Sequence, residues 1–304
     1  MSKDRKVVLV TRRTRMQELI AQYNTEGQAA FVIESRGQDF QDYREENINY
    51  FKAVAEVEAE LQSSARVQKL EREFLPNFIF GPEDIVVVVG QDGLVANTLK
   101  YLNGQPVIAV NPDPKRFDGV LLPFEVTDIS AIFPDVSRQT YQSKQITMAK
   151  ATLNDGQELI AVNDLFIGPR YQISARYALT VDGRTEEQSS SGIIVSTGLG
   201  STGWLKSVIA GAMGVAGQPT TIREPLPWDA DYLTFAVREP FPSQTTGTEL
   251  VFGEVRRQSE MRIASFMAGN GVIFSDGMVD DFVEFNSGVE VTLGIAEQTG
   301  CLVN

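Results

Sequence analysis

The stretch Ile85-Val-Val-Val-Val89-Gly90-Gln-Asp-Gly93 decides the fold class of this 304-residue chain. Five consecutive β-branched residues are typical of a central parallel strand that is covered on both faces. The glycines that follow allow the chain to turn sharply where that strand ends. Leu94–Leu102 is then predicted to form a helix. The carboxyl end of such a strand is where open α/β sheets bind their ligands.

The rest of the first 111 residues alternates strand and helix patterns on both sides of this unit. Short apolar runs indicate strands, and apolar residues at intervals of three and four indicate helices. The predicted strands are Val7–Thr11, Ala29–Ile33, Ile85–Val89 and Pro106–Val110, and the predicted helices are Thr14–Asn24, one or two helices within Gln41–Leu75, and Leu94–Leu102. This alternation favours an open parallel sheet flanked by helices.

After the Pro- and Asp-rich segment Asn111–Phe124, helical periodicity becomes scarce and turn signals become frequent. Asn154-Asp-Gly156 predicts a hairpin between Ile146–Leu153 and Glu158–Ile167, and Asp182-Gly183 predicts a second turn. Further predicted elements are strands at Gly192–Ser196, Tyr232–Val237, Glu249–Val255, Met261–Phe266, Val279–Phe285 and Val289–Ile295, and a helix at Ser201–Met213. We therefore expect an α/β domain over residues 1–115 and a mostly antiparallel β domain over residues 116–295.

The composition excludes several classes of function. The chain has 27 Lys and Arg residues against 40 Asp and Glu residues, a net charge of −13, which argues against nucleic-acid binding. It has no histidine and one cysteine, Cys301, which excludes Ser-His-Asp and Cys-His catalysis, internal disulfides and a zinc site of Cys and His ligands. A general base must be a carboxylate, Lys, Tyr or the single thiol. We expect a cytoplasmic protein, and no apolar run approaches the roughly 18 residues that a membrane span needs.

The first motif that suggests chemistry is Gly90-Gln91-Asp92-Gly93, between the predicted strand and helix. The N–H groups at the start of the helix would face an anion such as phosphate. Asp92 would stand beside that anion as a metal ligand or a base. The alternative is an ordinary turn in which Asp92 caps the helix.

The second motif is Ser196-Thr-Gly-Leu-Gly-Ser-Thr-Gly-Trp204, whose glycines fit the pattern G-x-G-x-x-G. That pattern suggests dinucleotide binding by a Rossmann unit, with Glu224 as the ribose acid. The predicted antiparallel strand before the motif disfavours this interpretation, and no parallel strand follows. A Walker phosphate loop is excluded because Trp204 stands where lysine is required.

What remains of the second motif is a Gly-, Ser- and Thr-rich loop that opens a helix. Its hydroxyl and N–H groups would hold phosphate or ribose oxygens. The alternative is a tight loop in which Ser201 or Thr202 serves as the helix N-cap.

The third motif is the pair Asn163-Asp164, within the otherwise apolar segment Leu159–Ile167. Adjacent strand residues point to opposite faces, so one of the two faces the core or a cleft and needs a partner. An amide next to a carboxylate can bind an adenine edge or ribose hydroxyls. The alternative is a bulge or an edge pair. Asp276-Gly277 and Asp280-Asp281 do not fit a calcium loop and are predicted to be hairpin turns.

These three motifs, in their order along the chain, resemble those of the NAD kinase family. Gly90-Gln-Asp-Gly93 is similar to its Gly-Gly-Asp-Gly motif, and Asn163-Asp164 to its Asn-Glu pair. Ile193-Ile-Val-Ser-Thr-Gly-Leu-Gly-Ser-Thr-Gly-Trp204 is similar to its glycine-rich signature, the most specific of the three. Pro106–Pro114 and Ser190-Ser-Gly192 more closely resemble the mitochondrial-type branch.

The resemblance implies a two-domain kinase with an α/β domain, a β domain and a cleft between them. Residues 296–304 would return to the first domain. The reaction transfers a phosphoryl group from ATP or polyphosphate to the adenosine 2′-hydroxyl of NAD, forming NADP, with Mg²⁺. We expect a homodimer or homotetramer that binds neither nucleic acid nor membranes.

The resemblance also assigns roles to individual residues. Asp92 would be the catalytic base, and no protein ligand for a metal is assigned beyond Asp92 itself. The ATP phosphates would contact Gly90, Gln91, Gly93, Ser201 and Thr202. The acceptor would contact Asn163, Asp164, Ser196, Thr197, Gly198, Leu199, Gly200 and Trp204.

The chain departs from the family pattern at several of these positions. Gln91 replaces the second glycine, and Leu94 stands where threonine is usual; both favour a nucleotide-binding regulatory protein without catalysis. Asp164 replaces a glutamate and Leu199 a small polar residue, which favours a different hydroxyl acceptor, such as a sugar. The presence of Asp92 favours an enzyme.

Overall fold

The computed structural model describes residues 5–219, 224–278 and 281–304. The chain forms two compact units, one of which comprises the residues up to Lys144 together with Cys301–Asn304. The other comprises Gln145–Gly300. The first unit therefore extends beyond residue 115, where the sequence patterns placed its end.

The first unit is built on a parallel sheet. Its strands are β1 (Lys6–Thr11), β2 (Arg66–Glu71), β3 (Ile85–Val89), β4 (Pro106–Asn111) and β5 (Phe124–Glu125), and its helices are α1 (Arg15–Tyr23), α2 (Glu26–Glu34), α3 (Gln41–Gln62), α4 (Asp92–Leu99) and α5 (Ile129–Arg138). The strand order is β2-β1-β3-β4, and all these pairs are parallel. β5 and the segment Cys301–Leu302 pair with β4, also in parallel. The predicted open parallel sheet is thus confirmed.

Side chains from two helices cover one face of this sheet. Val54, Val57 and Leu61 of α3 join Phe133 and Val136 of α5 in one buried cluster with the strands. β3 is buried at all five positions, as its uninterrupted apolar sequence predicts.

Two of the predictions for the first unit were wrong. Ala29–Ile33 is not a strand but part of α2, whose N-cap Thr25 accepts a hydrogen bond from the Gln28 N–H. Residues 29, 30 and 33 lie on one side of that helix and are buried, which is helical spacing. Arg66–Glu71 was included in a helical stretch but forms β2. This strand lies at the edge of the sheet with mostly exposed side chains, so no apolar run marks it.

Helix α5 was not predicted. It is short, it contains Pro134 in its interior, and proline normally signals the end of a helix. Its apolar residues Ile129, Phe133 and Val136 nevertheless recur at helical spacing and are buried.

Tyr50 on α3 connects the ends of two neighbouring strands. Its buried hydroxyl accepts a hydrogen bond of 2.8 Å from the Arg12 N–H and donates one of 3.0 Å to the Val89 carbonyl. Arg12 and Arg15 also pair with the buried carboxylate of Glu46, on the same helix. The carboxyl end of β3, where the turn at Gly90 begins, is therefore fixed to α3.

Among its described residues, the second unit consists of two β-layers and one α-helix. Its elements are β6 (Ser143–Leu153), β7 (Glu158–Ala161), β8 (Asp164–Pro169), β9 (Ala175–Val181), β10 (Arg184–Ser190), β11 (Ile193–Ser196), α6 (Trp204–Val215), β12 (Tyr232–Val237), β13 (Phe252–Arg256), β14 (Met261–Ser265), β15 (Gly271–Ser275), β16 (Phe282–Glu284) and β17 (Glu290–Val303). One layer has the order β10-β9-β14-β17, with β6 on β17 and β7 on β6. The other has the order β13-β12-β11-β8-β15-β16 and is antiparallel throughout.

The core of the second unit lies between its two layers. Tyr177 and Met261 enter it from the first layer, and Ile167, Val195 and Phe235 enter it from the second. Alternate residues of β9 are buried, which agrees with the alternating sequence of that strand.

Most of the predicted β-structure of the second unit is confirmed, including the hairpins at Asn154–Gly156 and Asp182-Gly183. Glu158–Ile167 is not one strand, because the chain leaves the first layer after β7 and enters the second at β8. β15 was not predicted, and β17 runs well past Ile295. The prediction of a strand at Val279–Phe285 falls partly outside the described residues.

Among the residues that the structure describes, no helix has the length and apolar character needed to cross a membrane.

We predict that Tyr50→Phe destabilises the chain by about 1–3 kcal/mol, because it leaves the buried Arg12 N–H and Val89 carbonyl without their partner. The free energy of unfolding, measured by urea denaturation, tests this. Tyr43→Phe is the matched control, since within the described residues the Tyr43 hydroxyl makes no hydrogen bond. Equal stability of the two variants would contradict the role assigned to Tyr50.

Candidate functional site

The Gly90–Gly93 turn lies between β3 and α4 in the first unit. Gln91 is the N-cap of α4 and has an extended backbone, with φ −115° and ψ 165°. Any residue adopts this conformation, so glycine is not needed at this position. The Gln91 carbonyl accepts hydrogen bonds from the N–H groups of Leu94 and Val95, which begin the helix.

The Asp92 carboxylate is held by a neighbouring loop of the same unit. It accepts hydrogen bonds of 2.8 Å from the Leu121 N–H and 3.3 Å from the Val120 N–H. That loop begins at Gly119, which has φ +66° and packs so closely that a Cβ would lie 2.8 Å from the Asn111 amide nitrogen. The alternative that Asp92 caps its own helix is not what the structure shows, because Asp92 is the first residue of α4 and its carboxylate bonds to the loop.

Leu94 covers the first glycine of the turn. Its side chain is buried, and its Cδ2 atom would lie 2.7 Å from a Cβ placed on Gly90. Gly93, by contrast, is exposed and has no atom within 4 Å of such a Cβ. A Cβ at position 90 would therefore displace the end of the Leu94 side chain, whereas the backbone of Gly93 is open to solvent.

A pocket in the second unit brings together most of the predicted acceptor residues. It has a volume of about 310 Å³. Its walls are formed by Asn163, Asp164, Leu199, Gly200, Thr202, Gly203, Trp204, Asp276 and Gly277. Of these, only Asp276 and Gly277 lie outside the motifs that suggested a ligand site in the sequence.

The glycine-rich loop packs against the backbone at Asn163, between β7 and β8. A Cβ on Gly200 would overlap the Asn163 carbonyl oxygen, and one on Gly198 would overlap the Pro227 carbonyl oxygen. Both glycines are therefore required by close approach of backbone to backbone. Thr197 fixes the same contact, since its N–H donates to the Asn163 carbonyl over 2.9 Å and its hydroxyl donates to the Val162 carbonyl over 2.6 Å.

Four predicted site residues of the second unit do not line the pocket: Ser196, Thr197, Gly198 and Ser201. Ser196 and Thr197 have no exposed surface. The Ser201 hydroxyl donates to the Gly198 carbonyl over 2.7 Å and accepts from the Leu226 N–H over 3.0 Å. In the described structure these side chains support the loop.

A Rossmann unit is excluded at this loop. The strand that follows α6 is β12, and it pairs with β11 in antiparallel orientation. The other neighbour of β11 is β8, which is antiparallel as well. Glu224 therefore does not follow a second parallel strand, as the dinucleotide motif requires.

The carboxyl group of Asp164 in this pocket has a raised pKa. Its side chain is almost completely buried, and this burial, together with the nearby negative charge of Asp276, raises the pKa of the carboxyl to about 7. Asp276 was interpreted from the sequence only as a turn residue. It does form a turn, with φ +53° at Asp276 and +70° at Gly277, but it also lines the pocket.

A larger cavity of about 1030 Å³ shares one wall with this pocket, the side chain of Trp204. The Trp204 ring stacks on Phe166, with 5.5 Å between ring centres, and also on Phe274. The Arg238 guanidinium lies 5.4 Å from the centre of the tryptophan ring. These contacts fix the orientation of Trp204, and no sequence pattern predicted them.

Within residues 5–219, 224–278 and 281–304, no group of three or more His, Cys, Asp or Glu side chains is placed to hold a metal ion.

No family model matches the chain. Two similar curated relatives are NAD kinases, one from Cupriavidus pinatubonensis with 28% identity over 131 residues and one from Methanoregula boonei with 31% identity over 128 residues. Each match covers 41% of this chain and 42% or 46% of the relative, so the chain spans less than half the length of the curated relatives it matches.

Solved structures match over nearly the whole chain. An NAD kinase from Archaeoglobus fulgidus in complex with ATP aligns with a TM-score of 0.59 and 18% identity, over 98% of this chain and 93% of that one. A yeast NADH kinase complexed with NADH aligns with a TM-score of 0.61 and 15% identity, over 98% of this chain and 83% of that one. The chain thus has the fold of the NAD kinases, and the matched two-fifths of its sequence confirms its resemblance to that family.

Proposed function

We propose that this chain is an NAD kinase-like phosphotransferase that transfers a phosphoryl group from ATP to the adenosine 2′-hydroxyl of NAD. The observation that carries the proposal is the pocket of the second unit. Asn163, Asp164 and Trp204, which the resemblance assigns to the acceptor, line it together with the glycine-rich loop. The similarity to named NAD kinases supports the same activity.

The pocket suits one nucleoside portion of the acceptor. Its volume of about 310 Å³ lies at the small end of ligand sites, which range over roughly 300–1,000 Å³. Asn163 offers an amide and Asp164 a carboxyl group, and the pair can bind ribose hydroxyls or an adenine edge. Trp204 supplies an aromatic wall whose orientation is fixed by Phe166 and Arg238.

Asp92 is proposed as the general base. As the acceptor hydroxyl attacks the γ-phosphorus of ATP, Asp92 takes its proton, the bond from phosphorus to the bridging oxygen breaks, and ADP leaves. The N–H groups of Val120 and Leu121 keep the carboxylate in one orientation. The exposed backbone of Gly93 and the start of α4 offer N–H donors for the donor phosphates.

In this proposal Mg²⁺ would be bound mainly by the phosphates of the nucleotide. It is usually bound by one or two carboxylates together with substrate phosphates, so a protein-only cluster of ligands is not needed. Asp92 is the protein side chain that we propose to contact it. When bound, the ion would neutralise the charge that develops on the phosphoryl group.

One observation favours a second candidate function, a nucleotide-binding regulatory protein without catalysis. The Leu94 side chain packs against Gly90 at a position where the family pattern has threonine, so the turn lacks a hydroxyl that could bind a phosphate. A third candidate, phosphorylation of another hydroxyl acceptor, is favoured by the apolar Leu199 in the wall of the pocket.

The proposed reaction predicts that the chain, incubated with ATP, Mg²⁺ and NAD, forms NADP detectable by mass spectrometry, with NADH and sugars as competing acceptors. Asp92→Asn should reduce turnover by about a hundredfold or more, because general-base catalysis contributes roughly 10²–10⁴.

The control for Asp92→Asn is Asp128→Asn. The Asp128 carboxylate also accepts a backbone hydrogen bond, of 2.8 Å from the Glu125 N–H, so both variants lose similar local contacts. Unchanged turnover in Asp92→Asn would remove the base from the proposal. Nucleotide binding without any phosphorylated product would favour the regulatory protein.

The double variant Gln91→Gly, Leu94→Thr should bind ATP about fivefold more tightly, since it opens the turn at Gly90 and adds a hydroxyl worth roughly 1 kcal/mol as one hydrogen bond. Calorimetry measures the affinity. Gln91→Gly, Leu94→Ala is the control, because it opens the same space without the hydroxyl. If the threonine variant binds ATP no more tightly than the unsubstituted chain, the role assigned to this turn is refuted.

The raised pKa of Asp164 predicts a pH-dependent stability. Because the pKa in the folded state is about 7 and the ordinary value is 3.8, the neutral carboxyl stabilises the fold below about pH 4, and this contribution is lost as the pH rises through 7. Asp164→Asn should therefore gain stability relative to the unsubstituted chain between pH 5 and pH 8, measured by urea denaturation at intervals. The exposed Asp155, replaced by Asn, should show no such trend. A constant difference for Asp164→Asn over this range would contradict the prediction.

A further inference from the structure

The chain forms a corner where it passes from one β-layer of the second unit to the other. β7 ends at Ala161 and β8 begins at Asp164, so Val162 and Asn163 lie outside both strands. Their N–H groups have no partner in the strand ladders. Backbone donors that are shielded from water need a partner, because leaving them unpaired is costly.

The Asp276 carboxylate is that partner. One of its oxygens accepts hydrogen bonds of 2.6 Å from the Asn163 N–H, 3.1 Å from the Val162 N–H and 3.3 Å from the Asp164 N–H. The other oxygen lies 3.1 Å from the Val162 nitrogen. In return, the Asp276 N–H donates to the Asp164 carbonyl over 2.9 Å.

The backbone conformation at Asp276 explains how its side chain reaches the corner. Asp276 has φ +53° and Gly277 has φ +70°, so the turn that ends β15 is left-handed at both positions. Aspartate and asparagine tolerate this region better than other side chains. The turn directs the carboxylate at a segment that is 113 positions away in the chain.

The carbonyl groups of the same corner are bound from another direction. Thr197 donates its N–H to the Asn163 carbonyl and its hydroxyl to the Val162 carbonyl. The corner is thus held by a carboxylate at its N–H groups and by the glycine-rich loop at its carbonyl groups. Asp276 and Asn163 line the pocket, whereas Thr197 holds the corner from outside its lining.

We propose that Asp276 is a positioning residue of this pocket, which fixes the backbone of Asn163 and Asp164 so that their side chains face the acceptor. The consequence for ligand binding rests on the proposed function. The hydrogen bonds of the Asp276 carboxylate are independent of the proposed function, because they are internal to the chain.

Asp276 also acts on Asp164 through its charge. Asp164 lies on β8 between β11 and β15, and the residue paired with it on β11 is Ser196. Among the described residues, Asp276 is the charged group that shifts the titration of Asp164. Replacing Asp276 with a neutral residue should therefore lower the pKa of the Asp164 carboxyl, a change that a purely structural role would not produce.

Amide hydrogen exchange measured by NMR on the unsubstituted chain is the first test. The Val162 and Asn163 amides should exchange at least about tenfold more slowly than exposed loop amides, because the Asp276 carboxylate binds them. Exchange as fast as in an exposed loop would overturn the inference, whatever the substituted variants do.

Asp276→Asn is the decisive variant, because asparagine tolerates the same left-handed backbone but presents an NH₂ group to one of the N–H donors. Exchange of the Val162 and Asn163 amides should accelerate at least about tenfold, and the titration midpoint of the Asp164 carboxyl, followed by ¹³C NMR, should fall. The control is Asp182→Asn, at another Asp-Gly turn with φ +49° and +76°, whose carboxylate is exposed. Unchanged exchange in Asp276→Asn would refute the proposal.

Calorimetric titration with NAD tests the functional step. Asp276→Asn should weaken NAD binding by about tenfold, whereas Asp182→Asn should leave it unchanged. Unaltered NAD affinity in a variant whose corner exchanges faster would refute positioning. Failure of the unsubstituted chain to bind NAD would refute the proposed acceptor, while the exchange and carboxyl titrations would still decide whether Asp276 holds the corner.

Discussion

A chain that leaves one β-layer and enters another must find partners for the N–H and carbonyl groups at the corner, and the second unit depends on how this is done. At Val162 and Asn163 the donors bind the Asp276 carboxylate and the acceptors bind Thr197. The glycine-rich loop can approach the corner closely only because Gly200 has no side chain. The pocket is formed where these three segments meet.

In the first unit, too, a carboxylate binds backbone N–H groups of another segment. The Asp92 carboxylate accepts hydrogen bonds from the N–H groups of Val120 and Leu121, in the loop that begins at Gly119. An acidic residue at each candidate site therefore satisfies backbone donors of another segment. Such bonds orient the carboxylate, so a structural contact and a chemical role are compatible in one side chain.

Much of the fold could be predicted from the sequence, because buried strands and tight turns have local signals. Ile85–Val89 is apolar without interruption, and Asp182-Gly183 has the composition of a hairpin turn. β2 gave no such signal, since an exposed edge strand needs no apolar run. Ala29–Ile33 was misassigned because a short apolar segment fits a buried helix as well as a strand.

Only part of the candidate site could be predicted from the sequence. Asn163, Asp164 and the glycine-rich loop were identified because polar and glycine residues stand out in apolar strands. Asp276 was not, because an Asp-Gly turn has the same sequence whether or not its carboxylate binds a distant corner. Ser196 and Thr197 were predicted to contact the acceptor, and in the structure both hydroxyls donate to backbone carbonyl groups. A sequence shows which hydroxyls are present, but only the fold shows which of them are already bonded.

Gln91 and Leu94 differ from the NAD kinase pattern in the volume of their side chains, and this difference does not require a different backbone conformation. Gln91 adopts an extended conformation that needs no glycine, so the turn keeps its course with a larger residue there. At Gly90 the nearest neighbour of a Cβ would be Leu94, which fills the space that a smaller side chain would leave open. The orientation of Asp92 is set independently of both, by the loop at Val120 and Leu121. The fold therefore preserves the geometry of the proposed base, while the side chains around it determine how much room a phosphate has beside the turn.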